Sequence, residues 1–274
     1  MQVALIGATG FVGTAVLNEL LSRGHQVTAL VRDPAKLAAR TGLKAVQADV
    51  MDAAAVQAAV AGSDAVVSAY NAGWANPNIY NDFMQGSRAI VQASKAAGVQ
   101  RYLVVGGAGS LYINGQQVVD SPSFPAAIKP GATAARDMLT ELQTASTLDW
   151  TLLSPPIGFH GGSAAQAQGR TGQYRTGQDE PLMQADGTPG DISVQDLAVA
   201  LVDALDQHLH SDPANPDAAF VSVYVPTTPN PTGGYLVMVR KNDCIELNMS
   251  VDAALKYIVS MGVVAAPDVP TGSK

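Results

Sequence analysis

A glycine trio set directly behind an apolar run constrains this chain more than any other feature. Val3-Ala4-Leu5-Ile6 leads into Gly7-Ala8-Thr9-Gly10-Phe11-Val12-Gly13, and a helical pattern follows. A strand, a glycine turn and a helix in that order make a dinucleotide-binding unit. Gly7 permits the tight turn, Gly10 lets the backbone approach a pyrophosphate, and Gly13 lets the helix pack closely on the strand. The free N–H groups and positive dipole end of the helix then face the phosphates. The spacing is G-x-x-G-x-x-G rather than G-x-G-x-x-G, so the glycines alone would also suit a turn with no ligand. The context narrows that alternative. Phe11, Val12, Val16, Leu20 and Leu21 recur at helical spacing, and a second strand, Val27-Thr-Ala-Leu-Val31, follows at the βαβ distance.

Apolar runs and helical patterns go on alternating along the chain, the mark of a parallel sheet covered on both faces. Strands are expected at Lys44–Ala48, Asp64–Ala69, Tyr102–Val105 and Trp150–Ser154, and helices at Ala53–Val60, Ile79–Ala97 and Ala132–Ala145. Pro34 opens a short helix, and Ser193 with Asp196 forms an N-cap pair ahead of Leu197, Leu201 and Leu205. Right-handed crossovers then give a Rossmann-type, doubly wound α/β sheet over residues 1–210. Residues 211–274 form an extension. Its breaker-rich start, Ser211–Pro216, precedes strand-like runs Phe220–Val225 and Tyr235–Val239 and a helix at Val251–Ser260. The first run would be an aggregation hazard if unpaired. It is expected to pair beside the sixth strand, with the second run as its hairpin arm.

The balance of 23 acidic to 16 basic residues, net charge −7, argues against nucleic-acid partners and anionic membrane surfaces. A small-molecule substrate and a monomer or homodimer are expected. The single cysteine, Cys244, excludes an internal disulfide, and no apolar run is long enough to span a bilayer. A first strand that starts almost at Met1 leaves no room for a signal peptide, which points to the cytoplasm. His208 and His210 lack a partner at metal spacing, so no metal is expected.

The end of the second strand selects the cofactor, because an acid there suits the ribose 2′-OH of NAD and a cation suits the 2′-phosphate of NADP. Arg32 stands there, 19 residues after Gly13, and favours NADP(H); its neighbour Asp33 keeps NAD(H) open. Asp49 is placed to meet the adenine, or else caps its loop. Ala69 and Tyr70 should run beside the cofactor, since ligands of open α/β sheets lie beyond the carboxyl ends of strands. Thr9, Gly106 and Pro155 complete the expected cofactor contacts. On the substrate side, Ser110, Tyr112 and His160 are the candidate catalytic residues, each with a plainer reading as a cap, a half-buried ring or a loop histidine. Gly161–Gly190 is too long for an ordinary connection and is expected to fold over the substrate as a lid.

Gly7–Gly13, Val31-Arg32-Asp33-Pro34, Val104–Leu111, Leu148-Asp149-Trp150-Thr151 with Ser154-Pro155-Pro156, and Arg170-Thr171-Gly172-Gln173-Tyr174 together resemble the atypical short-chain dehydrogenase/reductases. The likeness is to the NAD(P)H-binding branch near the NmrA-like and flavin/biliverdin-reductase-like proteins, often labelled NAD-dependent epimerase/dehydratase, over about residues 1–210. It implies an NADP(H)-dependent oxidoreductase. The chain departs from the superfamily in lacking Tyr-x-x-x-Lys, because Gln116 stands four residues after Tyr112. Reduction of a flavin or quinone, whose ring delocalises the arriving electrons, therefore fits better than chemistry that needs a protein acid. A non-catalytic redox sensor that binds NADP(H) and reports to a protein partner is the alternative. A sugar-nucleotide epimerase/dehydratase is weakened by the missing proton-transfer pair and by the lack of a basic pocket for a diphosphate. In the tail, Val225–Tyr235 and Asn248–Val263 resemble the soluble C-terminal part of bacterial COV-like membrane proteins of unknown function.

Overall fold

The computed structural model describes residues 1–207 apart from 146 and 185, together with the strands at 220–226 and 234–240. The elements in chain order are β1 (Gln2–Ile6), α1 (Phe11–Ser22), β2 (Gln26–Val31), β3 (Leu43–Gln47), α2 (Ala53–Val60), β4 (Ala65–Ser68), α3 (Ile79–Ala96) and β5 (Arg101–Val105). A two-residue-arm hairpin, β6 (Tyr112–Ile113) and β7 (Gln116–Gln117), precedes α4 (Lys129–Ala145), β8 (Asp149–Leu153) and α5 (Val194–Asp206). The last described strands are β9 (Phe220–Pro226) and β10 (Gly234–Arg240).

Six strands form one parallel sheet in the order β3-β2-β1-β4-β5-β8. Strand order reverses between β1 and β4, which opens the crevice where this architecture binds its ligand. Side chains of β1 alternate between the two faces. Ala4 and Ile6 join Val66, Phe83, Ile90, Tyr102, Val104 and Leu142 in the core that lines α2, α3 and α4. Val3 and Leu5, equally buried, point to the opposite face, where α1 packs against α5. Each fully buried Leu, Ile or Val contributes about 1.5–3 kcal/mol, so a strand buried on both sides holds the turn that follows it rigid.

Several expected boundaries move by one to three residues. The largest shift is at α4, which begins at Lys129 rather than Ala132. Pro130 therefore lies in its first turn, where a missing N–H costs nothing. The β6–β7 hairpin was not expected, although Asn114-Gly115 is the strongest short hairpin signal. Both residues adopt positive φ, 52° and 77°, as that turn requires.

Residues Met1–His208 and Leu209–Lys274 are separate compact units. In the second, β9 and β10 pair antiparallel from Phe220–Arg240 to Pro226–Gly234, so the expected hairpin forms. It is a two-stranded sheet. The helix expected at Val251–Ser260 and the histidines at 208 and 210 lie outside the described residues. No helix among the described residues is long and apolar enough to cross a membrane.

Candidate functional site: a nucleotide cleft at the carboxyl edge of the sheet

The turn after β1 is built by steric exclusion. Gly7 adopts φ +82°, and a Cβ there would stand 2.5 Å from the Ala69 carbonyl oxygen at the end of β4. A Cβ on Gly13 would come within 2.0 Å of the Gly7 carbonyl oxygen, so the first turn of α1 rests directly on the glycine turn. Gly10 is the helix N-cap, in extended conformation and with no side-chain cap. Its own N–H donates to Gly7 O at 2.9 Å. The N-terminal amides that follow, in Phe11, Val12 and Gly13, are thus left for an anion. The neighbouring Thr9 and Phe11 are exposed and Ala8 is buried beneath them. This cradle fits a dinucleotide pyrophosphate, because a side chain at Gly7 or Gly13 would collide with backbone and a cap at Gly10 would take the amides.

At the far end of β2, Arg32 is exposed and its guanidinium makes no ion pair among the described residues. Asp33 is committed elsewhere: its Oδ1 accepts from Ala35 N at 3.1 Å and caps the short 3-10 turn at Pro34–Lys36. Asp49, after β3, is also exposed and accepts from Met51 N at 2.9 Å, the plain loop-cap role. Burial, then the charges of Asp82 and Asp49, push the Tyr70 hydroxyl up to about 12, and Arg32 opposes them. The Tyr70 ring is spoken for by α3. It stacks on Phe83 at 5.8 Å, donates to Asp82 O at 3.0 Å and fills the space that Gly86 leaves. What Tyr70 and Ala69 turn to the cleft is backbone.

The other half of the cleft lies at the ends of β5 and β8. Gly106 has Leu152 and Ser154 against it, and a Cβ would meet Leu152 Cδ2 at 2.3 Å. Pro155 is buried behind Ser154. Ser110 is buried and its hydroxyl donates to Gly107 O at 2.8 Å, while its Oγ lies 3.2 Å from Ser154 Oγ. Ser154 is the residue of this group that sequence reasoning did not select. Its signal was weak, a polar residue closing an apolar strand. Tyr112 sits on the exposed β6 arm, with its N–H donating to Asp179 O at 2.7 Å. His160 is exposed and its Nδ1 accepts from Gly162 N at 3.1 Å, so its other nitrogen carries the proton of the neutral ring. Phe159 beside it packs against Phe11 with the rings tilted by 33° and centroids 5.6 Å apart, which brings the loop after β8 over the start of α1.

The segment expected as a lid divides in two. Arg170 donates to both carboxylate oxygens of Glu19 on α1 at 2.8 and 2.9 Å. Thr171 N, Thr171 Oγ1 and Gly172 N all donate to Asp196, and Tyr174 Oη donates to Asp203 at 2.6 Å. This first half is a strap fastened to α1 and α5. The second half returns to the cleft, since Asp179 meets Tyr112 and Gly190 O accepts from Gly158 N at 3.4 Å. Among the described residues no group of three His, Cys, Asp or Glu side chains could hold a metal ion.

The sheet order, the reversal at β1 and β4 and the uncapped glycine turn define a dinucleotide-binding protein of the Rossmann class. Residues 7–208 match the model of the NAD(P)H-binding family. The chain is 34% identical over 215 residues to the uncharacterized protein YwnB of Bacillus subtilis (strain 168), covering 77% of this chain and 95% of that one. Among solved structures it is similar to a candidate epimerase from Bacteroides thetaiotaomicron, at 40% identity, TM-score 0.68 and coverage of 77% and 93%. It is also similar to a candidate NADH-flavin reductase from Streptococcus pneumoniae TIGR4, at 33% identity, TM-score 0.66 and coverage of 77% and 95%. The chain belongs to the NAD(P)H-binding family, its cofactor is a nicotinamide dinucleotide, and its kinship is with oxidoreductases.

Proposed function

We propose that the protein is an NADPH-dependent reductase, of the atypical short-chain dehydrogenase/reductase kind, acting on a small redox-active ring such as a flavin or quinone. The observation that carries the choice of NADPH is the division of roles at the end of β2. Asp33, the residue that would accept from a ribose 2′-OH, already caps a helical turn, while Arg32 is exposed and unpaired. The acceptor class follows from what the β5 and β8 ends offer. Ser110 gives its proton to Gly107 O, and Tyr112 stands on an exposed hairpin with Gln116, not lysine, four residues on. A ring that delocalises added electrons suits a site without the tyrosine–lysine pair.

When bound, the nicotinamide supplies hydride. The glycine turn and α1 hold the phosphates, Arg32 meets the 2′-phosphate, and the loop from Ser154 to Gly162 borders the acceptor. The likeness to a candidate NADH-flavin reductase supports a flavin-type acceptor, yet that neighbour is named for NADH. Titration with both dinucleotides, followed by absorbance assays against flavins and quinones, tests both parts. Tighter binding of NADPH with acceptor-dependent oxidation is expected. Equal affinities overturn the role of Arg32, and tight binding without turnover on any acceptor replaces the reductase by a redox sensor.

A further inference from the structure

The paired hydroxyls at the ends of β5 and β8 can be oriented by counting protons. Ser110 Oγ lies 2.8 Å from the Gly107 carbonyl oxygen, which can only accept, so the single Ser110 proton is spent there. The contact of 3.2 Å between Ser110 Oγ and Ser154 Oγ must then use the proton of Ser154. Both protons therefore run inward along the chain Ser154, Ser110, Gly107, and Ser110 is 5% exposed at its buried end. Ser154 is the open end. It is half-exposed, it directly follows β8, and its Oγ would stand 3.0 Å from a Cβ on Gly106 at the end of β5. What it can present to the cleft is lone pairs and no proton.

In a sheet of this order the pyrophosphate lies at β1 and the adenine side lies towards β2 and β3, so the nicotinamide lies towards β4, β5 and β8. We infer that Ser154 is a positioning residue that accepts a hydrogen bond from an N–H donor at that end, the carboxamide NH2 of the nicotinamide, and so selects this ring over analogues without the donor. Ser110 acts through it, by taking the proton that Ser154 would otherwise turn outward. The inference rests on the family's nicotinamide cofactor and is independent of the acceptor and of the 2′-phosphate preference proposed above.

The test compares NADP+ with 3-acetylpyridine adenine dinucleotide phosphate, whose acetyl group keeps the carbonyl and lacks the N–H, by calorimetric titration of the full chain without any acceptor. The unphosphorylated pair is titrated alongside, so that failure of the Arg32 reading shows as a change common to both rings. Wild type should prefer the nicotinamide ring by roughly fivefold to tenfold, the worth of one neutral hydrogen bond. Ser154→Ala should reduce that preference to about twofold or less by weakening the nicotinamide form alone, and Ser154→Thr, which keeps the hydroxyl oxygen, should restore it. Ser110→Ala frees the Ser154 proton to turn outward to either ring's carbonyl, and should bring the two affinities together by strengthening the acetylpyridine form. Equal weakening of both rings by Ser154→Ala, or no change in either, overturns the inference; the second result would move the acceptor role to a substrate N–H. Thermal melts of each variant check that the fold is kept, and if Ser110→Ala melts early the Ser154 pair of variants decides alone.

Discussion

The glycine turn and the strap that follows β8 in the chain are held in opposite ways. In the glycine turn the bonds span a few residues and all end on backbone carbonyls: Gly10 N to Gly7 O, Thr14 N to Gly10 O, Thr14 Oγ1 to Ala8 O. The strap from Arg170 to Tyr174 is held instead by side chains on two helices, Glu19 on α1 and Asp196 and Asp203 on α5. The first is a local solution that any chain with those glycines can reach. The second exists only once α1 and α5 are already packed side by side. Cofactor binding should therefore be sensitive to single atoms in the turn, and the order of the strap to charges on α1 and α5.

The sharpest way to break this contrast is to add one methyl group at each of two glycines. In Gly13→Ala the new Cβ meets backbone at 2.0 Å, and an expected loss of about 3 kcal/mol or more in urea unfolding should accompany loss of cofactor binding. In Gly10→Ala the nearest atom is 3.3 Å away, so the fold should survive while affinity for the dinucleotide falls. If both variants lose stability alike, the turn is a packing device and not a binding one.

Asp196→Ala should come next. It strips the acceptor from Thr171 N, Thr171 Oγ1 and Gly172 N, and about 2–3 kcal/mol should be lost, with faster amide exchange at 171 and 172. Dinucleotide affinity should hold, because the glycine turn does not lean on that strap. A fall in affinity as large as the fall in stability would merge the two. Arg32→Ala then sharpens the cofactor end alone. NADPH affinity should drop by about 1.5–3 kcal/mol with NADH unaffected and the melting temperature unchanged; a preserved preference would mean that another group reads the 2′-phosphate.

The smallest effect is one of pH. Hydrogen bonding from Arg170, then from Arg23, holds the Glu19 carboxyl below its ordinary value near 4.5 against the opposing effect of burial. A lowered folded value means stability that is fully present above the ordinary value and lost as pH falls through the lowered one. Arg170→Ala removes the first cause. Its melting temperature should lie below wild type above about pH 5, and the gap should close on acidification. A gap that is constant with pH would show that Arg170 acts by packing and not by charge.

Much of the nucleotide end was legible beforehand because each of its devices is local. The glycine spacing, the apolar strand before it and Arg32 at the next strand end are all neighbours in sequence, and the order of strands and helices follows from alternating periodicity. Asn114-Gly115 is an equally local signal, for the β6–β7 turn. The single-residue readings were weaker where a side chain had two uses. Tyr70 reads as a cleft residue from its place after β4, but its ring belongs to α3 through Phe83 and the Asp82 carbonyl. Asp33 reads as a free acid beside Arg32, but its Oδ1 also caps the turn at Pro34–Lys36.

By itself the sequence determined the strand-turn-helix that makes a phosphate cradle, the parallel sheet that carries it and the hairpin at Phe220–Arg240, because glycine conformation, apolar periodicity and turn chemistry act over a few residues. Only the tertiary structure decided that Arg170 meets Glu19, that Asp196 holds the strap, and that Ser154 meets Ser110. Those are pairings between groups from 25 to 151 positions apart, and no local pattern sets which of many polar side chains will meet once the helices have packed.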